Sequence, residues 1–390
     1  MSELQYWVWL SMRSAVRPEI KNALLAHCDG ARTLYYARRE DLAGLGVRLR
    51  PSEERDLLDK DMGAAHRALE VCEQEGVSLI TLRDAGYPAR LRRLESAPCI
   101  LYVRGRLPMV DDRPAVAVVG TRKASDYGLR TAKRFGADIA RSGCVLVSGM
   151  TDGIDGAAAL GALEAGGTVI GVTGTAIDGA FGGEIAARVE RSGAVVGEYA
   201  PGDRAMHGFR ARNRITAGLA LASIVVEAPK KSGALLFADE TIAQSKEVFV
   251  VPGNVDLKSA EGSNMLLMNG ARPAACAWDA LADYQTDYPV LKEPEASASK
   301  PVAAETAQQK GIDKENAAAY IDMETLKKGL TEPETLIVAE LTHGALSADE
   351  LVERTGLSAS ECTSELTMLQ IMGIVKPAPG KRYTLGIAPV

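Results

Sequence analysis

Between residues 115 and 251 the chain repeats one pattern: a run of four or five apolar, β-prone residues, then a stretch that often has room for a helix. The runs are Ala115–Val119, Cys144–Val147, Thr168–Val172, Ala194–Glu198, Ser223–Glu227 and Val248–Val251, and helix-length segments such as Gly128–Arg141 and Asp155–Glu164 separate them. Strands that are apolar on both faces must be covered on both faces, and intervening helices do this when the strands lie parallel. Right-handed crossovers then give an α/β, doubly wound, Rossmann-like and mostly parallel sheet, expected over residues 76–290.

The flanks differ in kind. Residues 1–75 carry apolar positions at helical spacing, as in Ile20, Leu24 and Leu25 and again in Leu57, Leu58 and Met62. Asp41-Leu42-Ala43-Gly44-Leu45-Gly46-Val47 resembles the turn of a small SAM-like or helix-hairpin-helix unit. Residues 291–332 turn to Ala, Glu, Lys, Gln and Ser, the composition of a flexible linker. From 333 to 390 three amphipathic helical runs, near Glu334–Leu341, Ser347–Thr355 and Ser358–Met372, precede two short strand-like pieces around Val375 and Tyr383. That order predicts a winged helix, with a capping box at Ser347-Ala348-Asp349-Glu350.

Charge and composition narrow the function classes. The formal net charge is −6, so any nucleic-acid site must be a local basic patch on an acidic body. The six cysteines and four histidines are dispersed, without the short spacings of a metal site or the dense pairs of a disulfide framework. No metal or other cofactor is expected. Met1-Ser2-Glu3-Leu4 lacks the basic start of a secretory signal, and uncharged stretches such as Ile215 to Val226 are too short to span a bilayer. A reducing cytoplasm and no membrane span are the expectation.

In open parallel sheets ligands bind at the carboxyl ends of the strands. Five loops fall there: Gly120-Thr121-Arg122-Lys123, Ser148-Gly149 running on to Asp155, Phe209-Arg210-Ala211-Arg212-Asn213-Arg214, Lys230-Lys231-Ser232-Gly233 and Val251-Pro252-Gly253-Asn254. Their spacing matches neither the dinucleotide nor the ATP fingerprint. Several carry basic side chains or free N–H groups at a helix start, so an anion is the ligand they share. Three arginines on alternate positions beside Phe209 combine phosphate contacts with a stacking surface. The candidate nucleic-acid-binding residues are therefore Gly120, Thr121, Arg122, Lys123, Ser148, Gly149, Phe209, Arg212, Asn213, Arg214, Lys231, Ser232 and Gly233. No catalytic residue is assigned.

These segments also resemble a known family. Val116-Ala117-Val118-Val119-Gly120-Thr121-Arg122, Ser148-Gly149 with Gly153-Ile154-Asp155 and Gly161-Ala162-Leu163, and Arg212-Asn213-Arg214-Ile215 with Ala217-Gly218-Leu219 are similar to motifs of the DNA-processing protein A (DprA/Smf) family. Ser232-Gly233-Ala234-Leu235, Val248–Gly253, and Asn264 with Gly270-Ala271 follow in the family's order, and Tyr87–Leu91 and Leu101–Gly105 match its lead-in. The resemblance implies a non-enzymatic protein that binds single-stranded DNA, loads a RecA-type recombinase during natural transformation and forms a homodimer. It places DNA-contacting groups at Arg122, Phe209 and Lys231. Three departures stand out: Ala159 where the family usually has histidine, Asp152 in place of a basic residue, and Phe181-Gly182-Gly183-Glu184-Ile185, which keeps only the glutamate of its motif.

The candidate recognition helix of the winged helix has no Lys or Arg and carries Glu361 and Glu365, which favours a protein contact over duplex reading. The rival class is a nucleotide-binding enzyme related to nucleoside-monophosphate phosphoribohydrolases, whose pattern puts a catalytic glutamate in the first turn of a helix. The comparable segment here offers Phe237.

Overall fold

The computed structural model describes residues 3–178, 183–203, 208–294, 331–342, 344–371, 374–378 and 382–385, with Phe209, Arg210, Glu332, Thr367, Ile371 and Pro377 described in backbone only. The chain divides into two compact units, Met1–Lys300 and Pro301–Val390.

The first unit begins with six helices: α1 Leu4–Ser11, α2 Pro18–Ala26, α3 Ala31–Tyr36, α4 Arg39–Gly44, α5 Pro51–Leu58 and α6 Gly63–Gln74. They do not form an isolated core. Trp7, Leu10 and Leu24 belong to the same buried cluster as Ile100, Tyr102 and Val116 of the sheet. The Ser11 and Tyr102 hydroxyls lie 2.8 Å apart, and the Asn22 amide donates to the carbonyls of Glu95 and Ala97, both at 2.9 Å. The turn Asp41–Val47 lies at the end of α4, where Gly46 takes a left-handed φ of 73°.

The sheet has nine strands in the order β1-β2-β6-β5-β4-β3-β7-β8-β9. These are β1 Ser78–Thr81, β2 Ile100–Gly105, β3 Ala115–Val119, β4 Val145–Ser148, β5 Val169–Val172, β6 Ala194–Gly197, β7 Ala222–Val225, β8 Glu247–Val250 and β9 Arg272–Pro273. The six strands expected from the apolar runs are present, each within two residues of its expected ends, and all pair in parallel. The segments between them form α8 Asp126–Arg141, α9 Ile154–Glu164, α10 Gly183–Ser192, α11 Gly208–Leu219 and α12 Gly233–Ala243; the short α7 Ala89–Arg92 precedes β2 and α13 Glu261–Met268 follows β8. Three strands were not anticipated: β9 extends the sheet in parallel beside β8, and β1 and β2 add an antiparallel edge, β2 pairing antiparallel with β6.

This order sets the location of the site. The chain lays down β3, steps outward through β4, β5 and β6, then returns to place β7 on the other side of β3, with Val119 opposite Val225. The loops leaving β3 and β7 diverge, and the crevice between them is the switch point where open α/β sheets bind ligands.

In the second unit α14 Glu332–Leu341, α15 Ala348–Thr355 and α16 Ala359–Ile371 accompany β10 Leu346–Ser347, β11 Val375–Ala378 and β12 Arg382–Leu385. The strands form a small sheet ordered β10-β12-β11, a winged helix with one more short strand than expected. Ile337, Leu341, Leu351, Cys362, Leu366, Leu369 and Val375 fill its core. The capping box at α15 forms: the Ser347 N–H donates to Glu350 Oε2 at 2.7 Å and the Glu350 N–H to Ser347 Oγ at 3.2 Å. The expected linker, residues 291–332, lies almost wholly outside the described residues, as does Met372 at the end of the expected recognition helix. Among the described residues no helix is long and apolar enough to cross a membrane, and no group of His, Cys, Asp and Glu is placed to hold a metal ion.

Candidate nucleic-acid interface

A cavity of about 340 Å³ opens at the switch point. Its walls come from the loop after β3, the loop between β4 and α9, the face of α11, and the N-terminus of α12. Backbone bonds join these loops closely. The Thr121 N–H donates to the Glu227 carbonyl at 2.7 Å, and the Ile154 N–H to the Thr121 carbonyl at 3.2 Å. Gly153 permits this approach: its φ is 82°, and a Cβ there would stand 2.3 Å from the Thr121 oxygen. Behind the loop the buried Glu227 carboxylate accepts from both the N–H and the hydroxyl of Ser125, each at 3.0 Å, anchoring the start of α8. The Arg122 loop is thus held from two sides.

On the opposite wall Ser232 caps α12, its hydroxyl accepting from the Ala234 N–H at 3.2 Å. Early N–H groups of a helix have no partner within it, and they carry the positive end of its dipole. Lys231 precedes this terminus, and a Cβ at Gly233 would meet nothing within 4 Å, so space there is open. Arg212 reaches from α11 and donates to the Gly149 carbonyl at 3.1 Å. The apolar share of the wall is Val119, Pro229, Ala234 and Phe237.

Nine of the thirteen candidate residues line this cavity: Gly120, Thr121, Arg122, Gly149, Arg212, Asn213, Lys231, Ser232 and Gly233. Three others do not. Ser148 is fully buried, donating to the Asp155 carbonyl at 3.2 Å and accepting from the Met150 N–H at 3.0 Å, so it shapes the loop from behind. Lys123 is exposed beside the cavity and not on its wall. Arg214 is buried in a two-pronged pair with Glu198, at 2.8 and 2.5 Å, and also donates to the Ser96 carbonyl at 2.9 Å. The reason is helical geometry. Positions two apart on α11 are rotated by about 200°, so Arg212 and Arg214 face opposite ways. The side chain of Phe209 lies outside the described residues.

Reasoning from the sequence also missed Thr151, Asp155, Thr216 and Phe237 as wall residues. Asp155 matters most. Its side chain is buried, accepts the Gly120 N–H at 3.2 Å and a bond from the Thr151 hydroxyl, and feels Arg212 and Arg122. Burial pushes its carboxyl up to about 6 against the pull of those cations. Of the departures, Ala159 is fully buried in the core, Asp152 is exposed, and Ile185 packs half-buried against the core. Phe181 and Gly182 lie outside the described residues.

The profile of the DNA recombination-mediator protein A family matches residues 78–285, the span from β1 to the end of the sheet's last connections. This chain belongs to that family. A second profile, the DprA winged helix domain, matches residues 322–381. Protein Smf of Synechocystis sp. is 29% identical over 98% of both chains. DNA processing protein DprA of Streptococcus pneumoniae is 33% identical over 53% of this chain and 73% of its own. The X-ray structure of DNA processing protein A from Streptococcus pneumoniae superposes with a TM-score of 0.61 and 27% identity, over 72% of this chain and 97% of that one. Family membership gives the chain a DNA-processing, recombination-mediator role, and the cavity is where its fold concentrates anion-binding groups.

Proposed function

We propose that the chain binds single-stranded DNA at this cavity and passes the strand to a RecA-type recombinase during natural transformation. The observation that carries the reading is the convergence of Arg122, Arg212, Lys231 and the N-terminus of α12 on one cavity of a chain whose net charge is −6. Such groups suit phosphates, and the apolar wall beside them suits the face of a base. A cavity of about 340 Å³ admits a splayed nucleotide and not a duplex, whose bases are stacked inside the helix. Phe237 stands on this wall where the phosphoribohydrolase pattern requires a carboxylate, so the binding reading is preferred to the enzymatic one. The reading includes a cytoplasmic location, a homodimer, and a protein-contact role for the winged helix, whose α16 carries Glu361 and Glu365 without a basic residue.

The test is the double variant Arg122→Ala/Lys231→Ala. It should weaken retardation of a single-stranded oligonucleotide on the order of 100-fold while circular dichroism and melting stay unchanged, since both side chains are exposed. Unchanged retardation would refute the assigned cavity.

A further inference from the structure

An anion-binding cavity should not hold an anion of its own, yet this one does. Asp155 sits in the first turn of α9 and is only 4% exposed, on the wall that carries Arg122 and Arg212. Asp155 and Arg212 close on the same point over Gly149: a Cβ at 149 would stand 2.9 Å from Asp155 Oδ2 and 3.0 Å from Arg212 Cζ, so only glycine leaves room for both groups. The carboxylate therefore occupies the neighbourhood of the arginine that a phosphate would seek.

We propose that Asp155 is the resident counter-anion of the cavity and must be discharged when a strand phosphate enters, so that DNA is bound together with a proton. This rests on the cavity being the DNA site. The groups facing Asp155 are Arg212 from α11, Arg122 and the Gly120 N–H from the loop after β3, and the Thr151 hydroxyl from its own loop. Lys231 lies across the cavity. The Glu227 carboxylate is engaged with Ser125, the exposed Asp152 is on the same loop, and the remaining acidic group of α9, Glu164, pairs with Lys133 at its far end.

The sign follows from linkage. In the free protein burial already holds the Asp155 carboxyl near 6, so it is largely charged above neutrality. A phosphate brought beside it is a like charge and raises that value further in the complex. Affinity gained through proton uptake is then fully present below about pH 6 and is lost as pH rises through the higher value of the complex. One proton taken up corresponds to at most a tenfold change in affinity per pH unit, about 1.4 kcal/mol.

The experiment is fluorescence anisotropy with a labelled oligothymidylate, at constant ionic strength, between about pH 6 and 8.5. Thymine does not titrate there. Wild-type affinity should rise severalfold per unit as pH falls. Asp155→Asn, which keeps the shape and an acceptor for the Gly120 N–H, should bind at alkaline pH about as tightly as the wild type does at acid pH, with a flat profile. A variant that keeps the wild-type slope, or binds more weakly than wild type at alkaline pH, would overturn the proposal. If the variant does not fold, calorimetry of the wild type near neutrality in buffers of different ionisation enthalpy decides the matter. Binding without net proton uptake contradicts the account. Wild-type protein that binds with no pH dependence refutes only this inference, whereas wild-type protein that binds no oligonucleotide at any pH removes the DNA reading as well.

Discussion

The cavity at the sheet's switch point and the winged helix are both architectures that proteins use on nucleic acid, and here they carry opposite charge. At the cavity, Arg122, Arg212, Lys231 and a helix N-terminus converge from its different walls, and the lining holds one buried carboxylate. On α16, the helix a winged helix would offer to a major groove, Glu361 is committed to Ser358, accepting its N–H at 3.1 Å and its hydroxyl at 2.8 Å, and Glu365 adds a second negative charge. Those bonds from Ser358 hold the Glu361 carboxyl below its ordinary range, so the helix begins with a firm negative charge. An architecture permits a binding mode, but the charge on its exposed face selects it.

The largest effect is expected at Arg214, whose loss strands the largely buried Glu198 carboxylate and should cost about 3 kcal/mol of stability. Urea melts check it. The folded fraction should still bind DNA, because Arg214 is not on the cavity wall; selective loss of binding at full stability would put it back in the site. The Arg122→Ala/Lys231→Ala variant should show the reverse pattern, lost binding at wild-type stability. The smallest effect is expected on removing the second unit, Pro301–Val390, which should change single-strand affinity in a gel-shift titration by no more than about twofold. A large loss would mean that the acidic winged helix does contribute to the strand.

The same residues explain what could be read from the chain alone. The central strands announce themselves because parallel strands buried on both faces leave an unbroken apolar run, as in Ala115–Val119, every residue of which is buried. The edge strand β1 was hidden because it is only four residues long, is partly exposed and alternates no clear apolar face. The strand-end loops were legible as chemistry, since topology alone brings the ends of parallel strands to one rim. What sequence could not supply was direction within α11: read as a run, three arginines on alternate positions look like one patch, and only the helix sends Arg212 and Arg214 apart. Asp155 was hidden for a different reason. A carboxylate in a glycine-rich loop reads as solvated or as a helix cap, and its burial beside Arg212 depends on a contact between residues far apart in the chain.

A negatively charged chain that grips a single strand through one cationic cavity must reveal that grip in the salt dependence of its binding. A salt titration of the intact protein with a single-stranded oligonucleotide and with its duplex tests it most directly. Single-strand binding should be at least about tenfold tighter than duplex binding, with log affinity falling against log salt at a slope of about 2, as expected for some three phosphate contacts. Equal or tighter duplex binding, or affinity indifferent to salt, would contradict it.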